Sequence, residues 1–206
     1  MIAMSVDDWL AAARADNDEL RERILTGYKA GKPFTPYVPT IAIATPLAAA
    51  LDFGCGLGRN FPYLTAVARR VDGFDLPPMI ARCREALPDT PVGLSDDWSA
   101  VRQRHYDLVF ASLVLQHIET AACADFLFDF SRMAPRTYVL TRGHSDFGVG
   151  ILDLIADSGL FDVEACALVE HDSDTHRLRQ LAPLGFEAAR RGEGGAHYDL
   201  LLRSRV

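Results

Sequence analysis

Leu51-Asp52-Phe53-Gly54-Cys55-Gly56-Leu57-Gly58-Arg59-Asn60 is the stretch whose reading decides the fold. An apolar run ends in an acid and an aromatic, and glycines then fall at alternate positions before a helical pattern begins. Glycine lets the chain turn sharply and lets a ligand approach backbone where a Cβ would otherwise stand. The helix start just beyond offers free N–H groups. A dinucleotide fingerprint of the G-x-G-x-x-G type would put its third glycine at Arg59, so this turn fits a pyrophosphate poorly.

Outward from the turn, apolar β-type runs alternate with helical patterns, the signature of a parallel α/β sheet. The expected strands are Ala49–Phe53, Val71–Phe74, a short run near Pro91–Leu94, Tyr106–Ala111 and Thr137–Thr141. Helices are expected from the turn to about Ala68, over Pro78–Ala86, and over Thr120–Met133. Such continuous apolar strands suit a sheet covered on both faces. The last third reads as a helix at Ile151–Ser158, a strand at Val163–Val169, a helix at His176–Leu184, and an antiparallel hairpin of Phe186–Ala189 with His197–Leu202. Upstream, Val6–Thr26 has the spacing of an amphipathic helix. The loop after it carries Pro33, Pro36 and Pro39 among Tyr28, Phe34 and Tyr37. Residues 1–39 are therefore read as a helix and a cap or lid, and residues 40–206 as the core of the same domain.

Bulk properties narrow the function. A chain of 206 residues, 49% hydrophobic and 24% charged, builds one ordinary globular core. The most apolar run, Ile41–Phe53, is about 13 residues long and carries Pro46, too short and interrupted for a membrane span. Asp7 and Asp8 near the start, with no basic flank before an apolar stretch, argue against a secretory signal. Cys55, Cys83, Cys123 and Cys166 have no paired spacing and read as reduced thiols of a cytoplasmic protein. The net charge is −7, and only Lys29 and Lys32 among 21 basic residues are lysines. No basic stripe offers itself to DNA or RNA, so a small molecule, or else a protein side chain, is the expected partner. The apolar side chains Phe126, Leu127, Phe128 and Phe130 serve a homodimer interface as readily as a core.

Four elements in order carry a family resemblance. Asp52-x-Gly54-x-Gly56-x-Gly58 resembles the first motif of class I (Rossmann-like) S-adenosylmethionine-dependent methyltransferases. Val71-Asp72-Gly73-Phe74-Asp75 is similar to that family's second strand, Leu94-Ser95-Asp96-Asp97-Trp98 to its adenine-side acidic segment, and Tyr106–Ile118 to its fourth strand and following loop. The resemblance implies a single-domain, mostly parallel seven-stranded sheet with helices on both faces and a C-terminal antiparallel hairpin. It implies S-adenosylmethionine as cofactor and S-adenosylhomocysteine as product. Carried over residue by residue, the cofactor turn is Asp52, Gly54, Cys55, Gly56, Gly58 and Asn60. Asp75 takes the ribose hydroxyls, in keeping with a carboxylate's capacity to accept from a vicinal diol. Leu76 and Met79 fall beside the adenine, and one of Asp96 and Asp97 accepts from its amino group. Trp98 walls the ring or joins the core, and Ala111 and Ser112 close the cofactor side.

His117 follows the fourth strand, where the family's substrate pocket lies, and is the nominee for a general base. The run His171-Asp172-Ser173-Asp174-Thr175-His176 lacks the i,i+4 spacing of a helical metal site, and no metal is expected. The fourth-strand loop reads Ala111-Ser112-Leu113-Val114 and not Asn-Pro-Pro-Tyr, which argues against amino methylation of nucleobases or of glutamine. Gly143–Gly150, with hinge-like glycines, is a second candidate cover for the pocket. The competing readings are a non-catalytic protein that binds the same cofactor and an NAD-dependent oxidoreductase.

Overall fold

The alternating runs become strands whose side chains point to opposite faces. In the computed structural model, which describes residues 6–14, 35–142, 150–171, 177–193 and 197–206, five strands run parallel. They are β1 (Leu47–Phe53), β2 (Ala68–Phe74), β3 (Gly93–Ser95), β4 (Leu108–Ser112) and β5 (Arg136–Arg142). The helices among and after them are α2 (Phe61–Val67), α3 (Pro77–Ala86), α4 (Trp98–Val101), α5 (Thr120–Met133) and α6 (Ile151–Ser158). Leu51, Val109, Val139 and Leu200 pack with α5 and α6 on one face. Ala50, Leu108, Phe110, Tyr138 and Leu201 pack with α2 and α3 on the other. A sheet buried on both sides needs apolar residues at every position, which is why these strands read as continuous runs.

Three antiparallel strands complete the sheet: β6 (Phe161–His171), β7 (Leu178–Pro183) and β8 (His197–Ser204). The order is β3-β2-β1-β4-β5-β8-β6-β7. The chain steps outward from β1 to β3 and then crosses back to β4, so the order reverses between β1 and β4. Open α/β sheets bind ligands at the strand carboxyl ends at such a point.

The sheet therefore has eight strands, not the expected seven. One of them is β7, which forms where a helix was expected over His176–Leu184. Its arginines, leucines and glutamine favour a helix locally, but residues 178–183 pair with β6, and Arg179 lies opposite Glu170 and forms an ion pair with it. Cross-strand pairing overrides a weak propensity. The opposite correction applies to Phe186–Ala189. That segment was expected as a hairpin strand and forms α7 (Phe186–Arg190). Glutamate, alanine and arginine are good helix formers, and Gly185 and Gly192 bound them. The antiparallel partners of β8 are β5 and β6 instead. The helix α4 is short, ending at Val101.

The opening helix, α1 (Val6–Arg14), packs against α3. The rest of its expected span, to Thr26, lies outside the described residues, as do most of the proline loop and residues 143–149 of the second candidate cover. The chain ahead of β1 is fastened by Asp199, which is fully buried and accepts from Thr40 N and Oγ1 at 2.7 Å and from Tyr138 Oη at 2.6 Å. On α5, Leu127 and Phe130 are buried in the core and Phe128, at 47% exposure, faces outward. Among the described residues no helix is long and apolar enough to cross a membrane.

Candidate active site

Gly54, Gly56 and Gly58 all have left-handed backbone, with φ of 74°, 56° and 80°. At Gly54 close approach adds to this demand: a Cβ there would lie 2.3 Å from Val114 Cγ2. The turn is thus pressed against the loop that follows β4. Gly54 N and Cys55 N both donate to Phe74 O, at 2.8 and 3.1 Å, which ties the turn to the end of β2. Leu113, next in the β4 loop, has φ of 55°, a conformation uncommon for a residue with a side chain. Its N–H donates to Leu140 O at 2.8 Å, and strain of this kind gathers at functional sites.

These ends enclose a cavity of about 500 Å³, within the usual size of small-molecule sites. Of the residues nominated from sequence, Gly54, Cys55, Gly56, Asn60, Asp75, Leu76, Met79, Ser112 and His117 line it. Asp52, Gly58 and Ala111 sit behind the lining, and Asp96, Asp97 and Trp98 lie off it. Trp98 occupies an aromatic cluster with Phe53, Phe74 and Phe126 at centroid distances of 5.4, 5.0 and 5.1 Å. Its Nε1 donates to Asp129 Oδ2 at 2.8 Å. Asp97 caps α4, its Oδ1 accepting from Ser99 N, Ser99 Oγ and Ala100 N. These bonds hold its pKa below the usual carboxylate range. Asp96 is exposed and has no such duty.

The lining also holds residues that sequence reasoning passed over. Trp9, Tyr37, Arg59, Gln116, Phe126 and Arg142 all reach the cavity. Arg59 lay within the motif and carried a signal by its position. Trp9 and Tyr37 fall in the segment expected as a cap or lid, whereas Phe126 and Arg142 carried no signal, because only the tertiary fold brings α5 and the end of β5 to the turn.

Asp75 is the most constrained acid of the site. Oδ2 accepts from Gly56 N and Oδ1 from Leu76 N, both at 2.7 Å. Burial raises its pKa to about 6, with these two bonds opposing the shift. Asp52 is fully buried below the turn and neither oxygen has a hydrogen-bond partner. Burial raises its pKa to about 8, against the influence of Asn60 and reinforced by the charge of Asp75. Cys55 shares a side-chain hydrogen bond with Cys83 and is buried, which together push its thiol well above the ordinary range. It packs as a neutral thiol, not as a nucleophile.

His117 sits on a 3₁₀ turn at Leu115–His117, with Trp9 edge-on at 5.6 Å. Gln116 Oε1 accepts from Arg142 N at 3.1 Å, so the Gln116 amide nitrogen faces His117 Nε2 at 3.3 Å. The amide can only donate there, which makes Nε2 the unprotonated ring nitrogen.

The residues fit an adenosyl amino acid. Each Asp75 oxygen uses one backbone N–H and keeps a lone pair for a hydroxyl. Ser112 Oγ, on the lining, is buried without a hydrogen-bond partner, a polar atom that a bound molecule would satisfy. The run that resembled a metal site falls on residues 172–176, outside the described residues.

Residues 51–134 match a family model described as a methyltransferase domain. No curated protein matches the chain. Among solved structures, the N-methyltransferase NodS from Bradyrhizobium japonicum WM9, in complex with S-adenosyl-L-homocysteine, is similar with a TM-score of 0.53. The match has 9% identity and covers 98% of this chain and 89% of that one. The putative RNA methyltransferase PH1948 from Pyrococcus horikoshii gives 0.52 at 12% identity, over 79% and 76% of the two chains. The mitomycin 7-O-methyltransferase MmcR gives 0.55 at 15% identity, over 79% and 50%. Likeness at such identities carries the fold alone, and these proteins differ in what they methylate. The matched segment, by contrast, contains the glycine turn, Asp75 and the β4 loop, where an oxidoreductase would present another glycine spacing. On those residues and that match, residues 51–134 are a methyltransferase domain, and the fold that carries them is the Rossmann-like one of class I S-adenosylmethionine-dependent methyltransferases.

Proposed function

We propose that this enzyme methylates a small molecule held between the cofactor turn and α1. The observation that carries the reading is the lining: Trp9 of α1, Tyr37 and Phe126 wall the same cavity that Asp75 and Gly56 line. Mostly apolar walls with a few placed polar groups are what a small acceptor needs. The net charge of −7 agrees, since it gives no general attraction to polyanions. A cytosolic setting belongs to the same reading, in keeping with four free cysteines.

Bound S-adenosylmethionine supplies a methyl group on a sulfonium sulfur, already activated toward a lone pair. Asp75 accepts from the ribose hydroxyls while Gly56 N and Leu76 N hold its carboxylate in place. Leu76 and Met79 give the adenine an apolar bed. Asp96 takes the adenine amino group, because Asp97 is spent on capping α4. Ser112 Oγ accepts from the cofactor's ammonium group. Asp52, Gly58 and Ala111 act from behind the lining by shaping the turn and the end of β4.

On the acceptor side the enzyme has to orient a lone pair at near-attack distance and keep water out. Trp9, Phe126 and Ile118 supply apolar walls, and His117 meets the acceptor's polar end. With Nε2 engaged by Gln116, the ring proton stands on Nδ1. The imidazole becomes a base only when the Gln116 amide turns away, since an Nε2 proton would otherwise face another donor.

The test is release of S-adenosylhomocysteine from S-adenosylmethionine against a panel of phenols, thiols, amines and carboxylic acids, with bulk RNA and denatured protein in parallel. Turnover confined to small molecules is expected. Methylation of RNA or protein alone would overturn the proposal.

A further inference from the structure

Asn60 stands at the N-cap of α2, a place where asparagine ordinarily accepts from the helix's own first N–H groups. Its side chain makes no such capping bond. Oδ1 accepts instead from Tyr37 N at 3.1 Å, 23 positions earlier in the chain. The Tyr37 ring lies 4.4 Å from the guanidinium carbon of Arg59, so both residues at the exit of the glycine turn meet the same partner. Tyr37, Arg59 and Asn60 all line the cavity.

At Thr40 the segment is pinned a second time. Thr40 N and Oγ1 both donate to Asp199 Oδ2, each at 2.7 Å. The other carboxylate oxygen, Oδ1, accepts from Tyr138 Oη at 2.6 Å. Tyr138 and Asp199 are wholly buried, on the paired strands β5 and β8. A carboxylate in such a place is costly unless its oxygens are satisfied. The duties divide cleanly: Oδ1 serves the sheet, and Oδ2 serves the chain ahead of β1.

Residues 37–40 thus form a strap from the cofactor turn to the antiparallel half of the sheet. The strap is neither helix nor strand, so no regular ladder of backbone bonds fixes it, and the bonds at its two ends do so. No residue of β8 lines the cavity, and neither does Thr40. With the Thr40 end loose, Tyr37 loses its fixed approach to Asn60. Molecules with a displaced strap drop out of the binding-competent population, and the apparent affinity falls by that fraction.

Resting on the cofactor reading above, we infer that Asp199 is a positioning residue: through Thr40 it holds Tyr37 against the exit of the glycine turn, in the arrangement that takes the cofactor. The last strand thereby tunes the affinity of a site it does not touch. The role is one of positioning; no bond is made or broken at Asp199.

A set of variants separates positioning from plain stability. Thr40→Val removes the Oγ1 donor at nearly constant shape, and Thr40→Ser keeps it. Tyr138→Phe removes a bond to the same carboxylate on the side away from the strap. Each protein is melted, titrated calorimetrically with S-adenosylhomocysteine, and followed by hydrogen exchange across the strap without ligand. Thr40→Val is expected to weaken binding by about 3- to 30-fold and to speed exchange at the Tyr37 amide. Thr40→Ser should restore both. Tyr138→Phe should lose at least as much melting temperature as Thr40→Val, yet bind within about twofold of wild type. Asp199→Ala should lose affinity as Thr40→Val does, and adding Thr40→Val to it should cost little more, since the two act through one contact. Affinity that merely follows melting temperature through the set, or losses that add in the double variant, overturns the inference. So does equal affinity in Thr40→Val and wild type, which leaves the cofactor reading standing. Failure of wild type to bind S-adenosylhomocysteine sinks both.

Discussion

Replacing Asp75 with asparagine tests the cofactor site with little disturbance of shape. In the wild type each carboxylate oxygen accepts one backbone N–H at 2.7 Å, from Gly56 and Leu76. An asparagine amide can accept only one of them, and its NH₂ then faces the other donor at a cost of about 1–3 kcal/mol. Against this stands the burial of the charge. The pKa moves from 3.8 to about 6, a rise of 6 − 3.8, or about 2 units, so ionisation in the fold costs at most about 3 kcal/mol. Asparagine removes that cost, and the net change in stability at pH 7 should stay within about 2 kcal/mol. Binding is affected differently. A carboxylate can accept from both ribose hydroxyls and the amide from one. Losing a hydrogen bond to a charged group weakens S-adenosylhomocysteine binding by about 10- to 150-fold. The sign of the pH dependence follows from the raised pKa. Asp75 favours folding most below pH 3.8, where it is neutral in both states, and that favour is lost as pH rises toward about 6. Wild-type melting temperature should therefore fall relative to Asp75→Asn between pH 4 and 6, while S-adenosylhomocysteine affinity rises through the same window in wild type only. Calorimetric titration and thermal melts from pH 4 to 8 measure both. A variant that binds within threefold of wild type, with the same pH profile, refutes the assignment of the ribose to Asp75.

Two further outcomes follow from the buried groups. Asp52, with its pKa raised to about 8, favours folding most below pH 3.8 and loses that favour as pH rises toward 8. Asp52→Asn should flatten the decline in denaturant stability between pH 5.5 and 8.5, by an amount on the order of a few kcal/mol at the upper end; an equal slope in both proteins would show that Asp52 is solvated or paired. Trp98→Phe removes the bond to Asp129 and part of an aromatic cluster, for a loss of about 2–3 kcal/mol in chemical denaturation. S-adenosylhomocysteine affinity should change less than threefold; tenfold weaker binding with unchanged stability would move the indole onto the adenine.

Local patterning determined most of what surrounds the cofactor. Glycines at alternate positions after an apolar strand demand left-handed backbone, and Gly54, Gly56 and Gly58 adopt it. Runs apolar at every position demand a sheet covered on both sides, and β1, β4 and β5 are such strands. The helices Thr120–Met133 and Ile151–Ser158 were legible to the residue, because their apolar spacing and bounding residues agree. Where the local and the long-range terms pull apart, sequence misleads. Leu178–Pro183 has helix-forming residues but gains more by closing an edge on β6, and Phe186–Arg190 looked like half of a hairpin whose place beside β8 was already taken by β5 and β6. That Asp97 caps α4 was likewise not legible, since either acid could have stood there. Most of all, the rest of the cavity lining belongs to tertiary structure. Trp9, Tyr37, Phe126 and Arg142 come from segments far apart in the chain, and no spacing rule links them. A cofactor turn is one contiguous piece of backbone and can be read in order. A substrate pocket is an intersection of distant elements, and only packing decides which side chains meet there.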